Sequence, residues 1–400
     1  MNDQRQGHLP TLFACFLHFD LSFMLWVLIG ALGIVIAEDL QLSAGQRGVL
    51  VALPILSGSL LRIPLGLLSD RWGARRVGGT MLAFLFVPLT VGWLAAGSWP
   101  AMMAVGLMLG TAGASFAVAL PLASAWYPAK RQGLVMGIAA AGNSGTVITN
   151  LVAPKLAEQF GWQGVFGIAM IPLAIVLATF LMLAREAPPK PRAARPIRQV
   201  VREADLWWFC LFYSVTFGGY VGLSSFLPLF LRDQQGLAAS SAGVLTAAAA
   251  FVGSGARPLG GWLADRIGGR RLLTVALAGL GVAYALVARG PSLLALTALV
   301  IAAMACCGLG NGAVFQLVPL RFRAEIGVVT GVIGAVGGIG GFCLPILLGF
   351  VRQYGGGFGA GFLLLAIVAM SVATLLQLLI ARQAGWRVSW RSSPQVSETA

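Results

Sequence analysis

The chain has 400 residues, of which 58% are hydrophobic and 10% charged, whereas charged residues make up about a quarter of an ordinary soluble domain. A water-soluble enzyme of several domains is excluded, and the net charge of +14 rests on only 27 Lys plus Arg and 13 Asp plus Glu, so their placement matters. A membrane-crossing helix takes roughly 20 apolar residues, so twelve would use about 240 and leave about 160 for loops and tails.

The N-terminus, MNDQRQGHLP, leads into TLFACFLHFDLSFMLWVLIGALGIVIA. That run is too long, and too interrupted by His18 and Asp20, for a cleaved signal peptide. Apolar runs bounded by charges or turn residues predict spans over 11–36, 47–69, 76–97, 100–125, 133–155, 162–184, 206–231, 241–264, 271–288, 292–319, 326–350 and 358–381. The longest polar stretch, APPKPRAARPIRQVVREAD, separates them into two sets of six. The expected fold is all-α integral membrane, with twelve transmembrane helices in two pseudo-symmetric six-helix halves. Residues 1–184 form the N-terminal half, 185–205 a cytoplasmic linker, 206–382 the C-terminal half and 383–400 a cytoplasmic tail. The cysteines (Cys15, Cys210, Cys306, Cys307, Cys343) fall in apolar stretches without metal or disulfide spacing and read as small buried hydrophobes.

The loops that follow even-numbered spans, with both termini, hold Arg5, Arg71, Arg75, Arg76, Lys130, Arg131, Arg185, Lys190, Arg192, Arg195, Arg198, Arg202, Arg266, Arg270, Arg271, Arg321, Arg323, Arg382, Arg387 and Arg391. The opposite loops hold only Arg47, Lys155, Arg232, Arg289 and Arg352. Cationic loops stay in the cytoplasm, so both termini are expected there, with the chain in the cytoplasmic membrane. The basic balance thus reports topology, and no nucleic-acid partner is expected.

GLLSDRWGARR, from Gly66 to Arg76, recurs as GWLADRIGGRR, from Gly261 to Arg271, at a constant offset of 195 positions. A repeat of this kind means two similar halves, an architecture typical of alternating-access transporters. The pattern G-x-x-x-D-R-x-G-x-R-R resembles the signature loop of the major facilitator superfamily. The resemblance implies a cytoplasmic latch, with Asp70, Arg71 and Arg75, and their counterparts Asp265, Arg266 and Arg270, meeting helix ends of their own half. A positive-inside stop alone would account for the arginines but not for the repeated Asp and Gly.

The same offset relates Arg62 to Arg257, each eight residues before the repeated Asp. Eight residues of helix span about 12 Å, close to the middle of a roughly 30 Å core. A guanidinium stays charged, so burial demands a partner or water. Only Asp20 clearly lies within a span, and two like charges facing across a cavity would be relieved by an anion between them. The planar fork of Arg favours a planar oxyanion such as carboxylate, nitrate or nitrite. Asn143, Asn311, Gly142 and Gly337 fall at comparable depth in spans five, ten and eleven.

FDLSFMLWVLIGALG, GIAAAGNSG, YSVTFGGYVG, GLGNGAVFQLVP and GVIGAVGGIGGF together resemble the nitrate/nitrite porter family of that superfamily over nearly the whole chain. The resemblance implies that Arg62 and Arg257 bind the anion, that Phe116 and Phe217 sandwich it, and that Tyr213 and Asn143 supply polar contacts. Two aromatic faces restrict a slot to something flat, disfavouring tetrahedral sulfate or phosphate. Ser144 and Thr146 depart from the family's small apolar residues in span five, which bears on fine selectivity.

Accumulating an anion against an inside-negative potential costs about 2.3 kcal/mol per charge per 100 mV, so movement must be coupled. Nitrate/nitrite exchange needs no titratable group. Proton symport calls for one, with Asp20 and His18 as candidates; Asp20 has the alternative of pairing with an arginine or bonding a group on span five. The partners expected are a small inorganic anion and the lipid bilayer, with no cofactor and no metal. A rival is a major facilitator for another small anion such as a monocarboxylate. A cation exporter would place acids in its cavity, and an enzyme would need a catalytic constellation, which two histidines and no Cys-His cluster do not supply. Nitrate versus nitrite, uptake versus export and oligomeric state stay open, a monomer being compatible with the sequence.

Overall fold

The computed structural model describes residues 7–127, 135, 139, 141–186, 197–322 and 325–390. All regular elements among these are helical. α1 is Leu9–Trp26, continued by Leu28–Ala31 and Gly33–Asp39; α2 is Ala44–Trp72, α3 Ala74–Leu94 and α4 Trp99–Ala125. α5 and α6 share the run Gly145–Leu183. The second half holds α7 (Ala204–Gln235), α8 (Ala239–Ile267), α9 (Gly269–Val287), α10 (Leu293–Arg321), α11 (Ile326–Gly355) and α12 (Gly359–Arg382).

Eleven stretches are long and apolar enough to cross a membrane, and one of them, Gly142–Leu183, has 42 residues. A straight helix of that length would measure about 63 Å, twice the hydrocarbon core. It is broken at Gly161, whose φ of 69° only glycine adopts without strain. The stretch therefore covers most of both predicted spans, 133–155 and 162–184, and with it divided at Gly161 the described long helices number the expected twelve. Part of the first, and the cations Arg5, Lys130, Arg131, Lys190, Arg192, Arg195, Arg323 and Arg391, lie outside the described residues.

The repeated loop is a repeated turn. α2 and α8 both have 29 residues and both end on a glycine of positive φ, Gly73 at 92° and Gly268 at 93°. The sequence offset that matched these glycines therefore marks a backbone position where a Cβ would be strained.

Large apolar side chains remain on the outer faces, with Leu294 84% and Ile171 61% exposed, the surface a helix presents when its surroundings are lipid rather than water. The two halves meet along α2 with α11 and along α5 with α8, with α7 also against α2. Cys15, Cys210 and Cys307 are buried as expected, whereas Cys306 is half-buried and Cys343 lies exposed on α11.

The two ends of the bundle are tied differently. At one end, the Trp126 indole donates to the Arg185 carbonyl (3.2 Å) and the Gly7 amide to the Trp126 carbonyl (3.1 Å), joining the start of α1 to the ends of α4 and α6. At the same level in the second half, Arg321 pairs with Glu203 (2.9 Å) and Asp205 (2.5 Å), and Asp205 accepts from the Trp386 indole (2.8 Å). Each of these ties stays within one half. At the other end the ties run between halves: Arg47 with Asp233 at 2.7 Å, Arg232 with Glu38 at 2.8 Å, and the Gly45 amide donating to Gln353 Oε1 at 2.7 Å.

Candidate anion-binding site

Arg62 and Arg257 occupy the same position of two equally long helices, each ten residues before the last, or about 15 Å along the axis. Arg62 is almost fully buried, at 1% exposure, and Arg257 half-buried. Arg62 Nε donates to the Gly113 carbonyl at 3.0 Å, and its Nη1 donates to the Gly334 carbonyl across the interface on α11. Arg257 Nη2 donates to the Tyr213 hydroxyl at 3.3 Å. Each guanidinium keeps one buried nitrogen without a hydrogen-bond partner, Nη2 of Arg62 and Nη1 of Arg257. A buried charged donor left unpaired is costly.

Aromatic rings enclose both groups. The Arg62 guanidinium lies 5.3 Å from the ring centres of Trp26, Phe116 and Phe217 alike, distances at which a cation is attracted to a ring face. Arg257 lies 5.5 Å from Phe315. Phe315 also contacts Phe116 at 6.3 Å and meets Tyr213 edge-on at 5.0 Å. The rings of Phe116 and Phe217, expected to flank an anion, thus flank a guanidinium.

The α4 backbone changes character at this site. Gly110–Ser115 winds as a 3₁₀ turn before Phe116 resumes the α-helix, and interior 3₁₀ stretches often mark functional hinges. Gly113, inside it, supplies the carbonyl for Arg62.

Asn143 and Asn311 are both buried, with Oδ1 unpartnered. Gly142 serves packing: a side-chain carbon there would come within 2.8 Å of the Asp20 amide nitrogen. Gly337 lies flat against the Tyr213 ring, where any Cβ would collide. Asp20 accepts from the hydroxyl of Ser144, the residue just before α5, at 2.7 Å. Of the two expected alternatives for this carboxylate, the bond is to span five.

At the turn between α2 and α3, Glu186 accepts from the Ala74 amide (3.1 Å) and the Arg75 amide (2.9 Å), a carboxylate on the positive end of a helix. Arg75 Nη2 donates to the Leu181 carbonyl at 2.6 Å. In the second half Arg270 donates to the carbonyls of Trp386 (2.8 Å) and Arg387. Both arginines therefore grip carbonyls beyond or near the end of the last span of their own half. Asp70, Arg71, Asp265 and Arg266 lie exposed beside these turns, with Arg266 over the Trp262 ring at 3.9 Å.

Trp26, Phe315, Gly113, Gly334 and Glu186 escaped the sequence reading. Phe315 had a signal: it stands four residues after Asn311, on the same helix face. Trp26 had one too, as a tryptophan inside a span that also carries an acid, Asp20. The two glycines contribute only carbonyls, which no side-chain pattern reveals.

Two matched halves around a cluster of arginines and aromatic rings define a membrane transporter built from a repeated six-helix unit. Residues 14–345 match the Major Facilitator Superfamily. Over 358 residues the chain is 36% identical to the "Nitrite extrusion protein" of Bacillus subtilis, covering 89% of this chain and 90% of that one. It is 34% identical to the "Probable nitrate/nitrite transporter NarK2" of Mycobacterium tuberculosis strain H37Rv, covering 88% and 92%, and 32% identical to the "Probable nitrate/nitrite antiporter NarK1" of Thermus thermophilus, covering 89% and 88%. Among solved structures, a bacterial homolog of the human lysosomal transporter Spinster, inward-facing and occupied, superposes with a TM-score of 0.70 at 21% identity, covering 96% of both chains. The chain belongs to the Major Facilitator Superfamily and, within it, to the nitrate/nitrite porters.

Proposed function

We propose that this protein is a secondary transporter that moves nitrate, nitrite or both across the cytoplasmic membrane by alternating access, with the anion held between Arg62 and Arg257. The carrying observation is the matched pair of arginines, one from each half, each with an unused N–H nitrogen and aromatic rings beside it. Both termini are assigned to the cytoplasm on the loop charges, so the ties within each half lie at the cytoplasmic end. The ties between halves then lie outside, which supports an inward-facing arrangement closed to the exterior.

In this mechanism the anion enters from an open end and accepts hydrogen bonds from Arg62 Nη2 and Arg257 Nη1. Neutralising the facing cations removes their mutual repulsion and lets the halves close over the site. The latches at Arg75 and Arg270 then exchange partners as the halves rock. The Asp20 carboxylate, beside Asn143 through its bond to Ser144, favours proton symport as the coupling mode, with nitrate/nitrite exchange as the second reading. The planar guanidinium forks, set among ring faces, favour a planar anion such as nitrate or nitrite over tetrahedral sulfate or phosphate. A planar monocarboxylate is the substrate alternative.

The test is purified protein in liposomes, loaded with nitrite or with buffer alone, assayed for nitrate entry with and without a pH step. Entry into buffer-loaded vesicles that requires acid outside supports symport, and entry that requires internal nitrite supports exchange. Entry of acetate with neither nitrate nor nitrite moving would sink the assigned cargo.

A further inference from the structure

His18 lies on α1 in the interior of the N-terminal half and is completely buried. Its ring touches three other helices. Nε2 is 3.2 Å from the Gly78 carbonyl oxygen of α3, Nδ1 is 3.1 Å from Ser115 Oγ of α4, and the Phe180 ring of α6 lies 4.9 Å away. A carbonyl only accepts, so Nε2 carries the hydrogen and donates to Gly78. In the neutral ring Nδ1 is then an acceptor and takes the Ser115 hydroxyl hydrogen. Both ring nitrogens are in use, which is the arrangement of an anchor.

What the anchor joins is specific. Gly78 stands one turn into α3, the helix whose first amides are capped by Glu186 and whose Arg75 grips Leu181, next in sequence to Phe180. Ser115 closes the 3₁₀ turn Gly110–Ser115, directly before Phe116, and that turn's Gly113 carbonyl receives Arg62. A 3₁₀ turn has poorer internal hydrogen bonds than an α-helix and holds its shape better with outside support.

We propose that His18 is a positioning residue that ties the latch end of α3 to the 3₁₀ turn holding Phe116 and Arg62, so that the geometry of the anion pocket follows the state of the latch. The proposal rests on the anion-clamp reading above and adds a residue that touches neither anion nor arginine.

The test compares His18→Phe, His18→Gln and Ser115→Ala with wild type, full-length in liposomes, by initial rates of nitrate and nitrite entry. Phe keeps the ring against Phe180 and loses both hydrogen bonds; Gln keeps a donor for Gly78 and an acceptor for Ser115. We expect His18→Phe to raise KM about tenfold, the size of misplacing a clamp by a fraction of an ångström, while Vmax stays within about twofold. His18→Gln should restore KM to within about threefold, and His18→Phe with Ser115→Ala should be no worse than His18→Phe alone, since both break one connection. An unchanged KM in His18→Phe overturns the proposal. So does a fall in Vmax alone that Gln fails to rescue, the mark of a merely structural histidine. If His18→Phe does not yield monodisperse protein, Ser115→Ala carries the test, and an unchanged KM there is equally fatal. A wild type inert toward both anions would overturn the transport reading first and this proposal with it.

Discussion

Tyr213 and Phe217 lie one turn apart on α7 with their rings stacked at 4.8 Å and 2° between planes. The hydroxyl of the first receives Arg257 from its own half, and the face of the second lies beside Arg62 from the other. One rigid pair of rings thus sets the spacing of two cations contributed by different halves.

Replacing either arginine by lysine is expected to remove most transport while leaving the fold intact. Lysine keeps the charge but not the fork that serves a protein oxygen and an anion together. Losing one charge-assisted hydrogen bond costs about 1.5–3 kcal/mol, or roughly ten- to hundredfold in affinity. Initial-rate uptake in liposomes, with size-exclusion profiles as the folding control, measures this; near wild-type flux in both variants would dismiss the clamp.

Tyr213→Phe keeps the stack on Phe217 and removes the acceptor of Arg257. A second Arg257 nitrogen is then unpaired, free to swing off the axis shared with Arg62. The expected result is a KM raised about tenfold with little change in protein yield. Substrate titration of uptake reads it directly, and an unaltered KM would place Arg257 under other control.

Asp20→Asn preserves shape and a hydrogen-bond partner for Ser144 but cannot carry a proton. Under symport, uptake driven by an acid-outside pH step should vanish while nitrate/nitrite counterflow persists. Undiminished pH-driven uptake would reassign Asp20 to structure.

The pair Arg47 and Asp233 bridges the halves at the end assigned outside. Asp233→Arg should slow uptake by disfavouring the inward-facing state, and adding Arg47→Asp should restore most of it. The expected effect is small, about 1 kcal/mol for a partly exposed pair and less at high salt. Non-restoration in the double variant would show that the bridge does not bias the two states.

The sequence made the architecture legible because hydrocarbon imposes long apolar runs, and because the repeat of Gly73 as Gly268 records a turn that a Cβ would strain. Arg62 and Arg257 were legible for the same reason, since a charge at that depth is conspicuous. The partners were not. Arg62 is held by Gly113 and Gly334, whose contribution is backbone oxygen, and any sequence has carbonyls everywhere. Glu186 was hidden differently: it lies far along the chain from the amides it caps, and an acid beside an arginine-rich linker looks like surface charge. The rings around Arg62 converge from α1, α4 and α7, a convergence that only the folded bundle creates.

The bond from Arg62 to the Gly334 carbonyl has a consequence for how tightly any cargo is held. That bond takes Nη1 and leaves Nη2 to the cargo, so the guanidinium is already aimed and an arriving anion gains a hydrogen bond without displacing one. Because the carbonyl that aims this arginine belongs to α11 in the opposite half, any shift of that helix should loosen the grip, so hold and release are tied to the same movement.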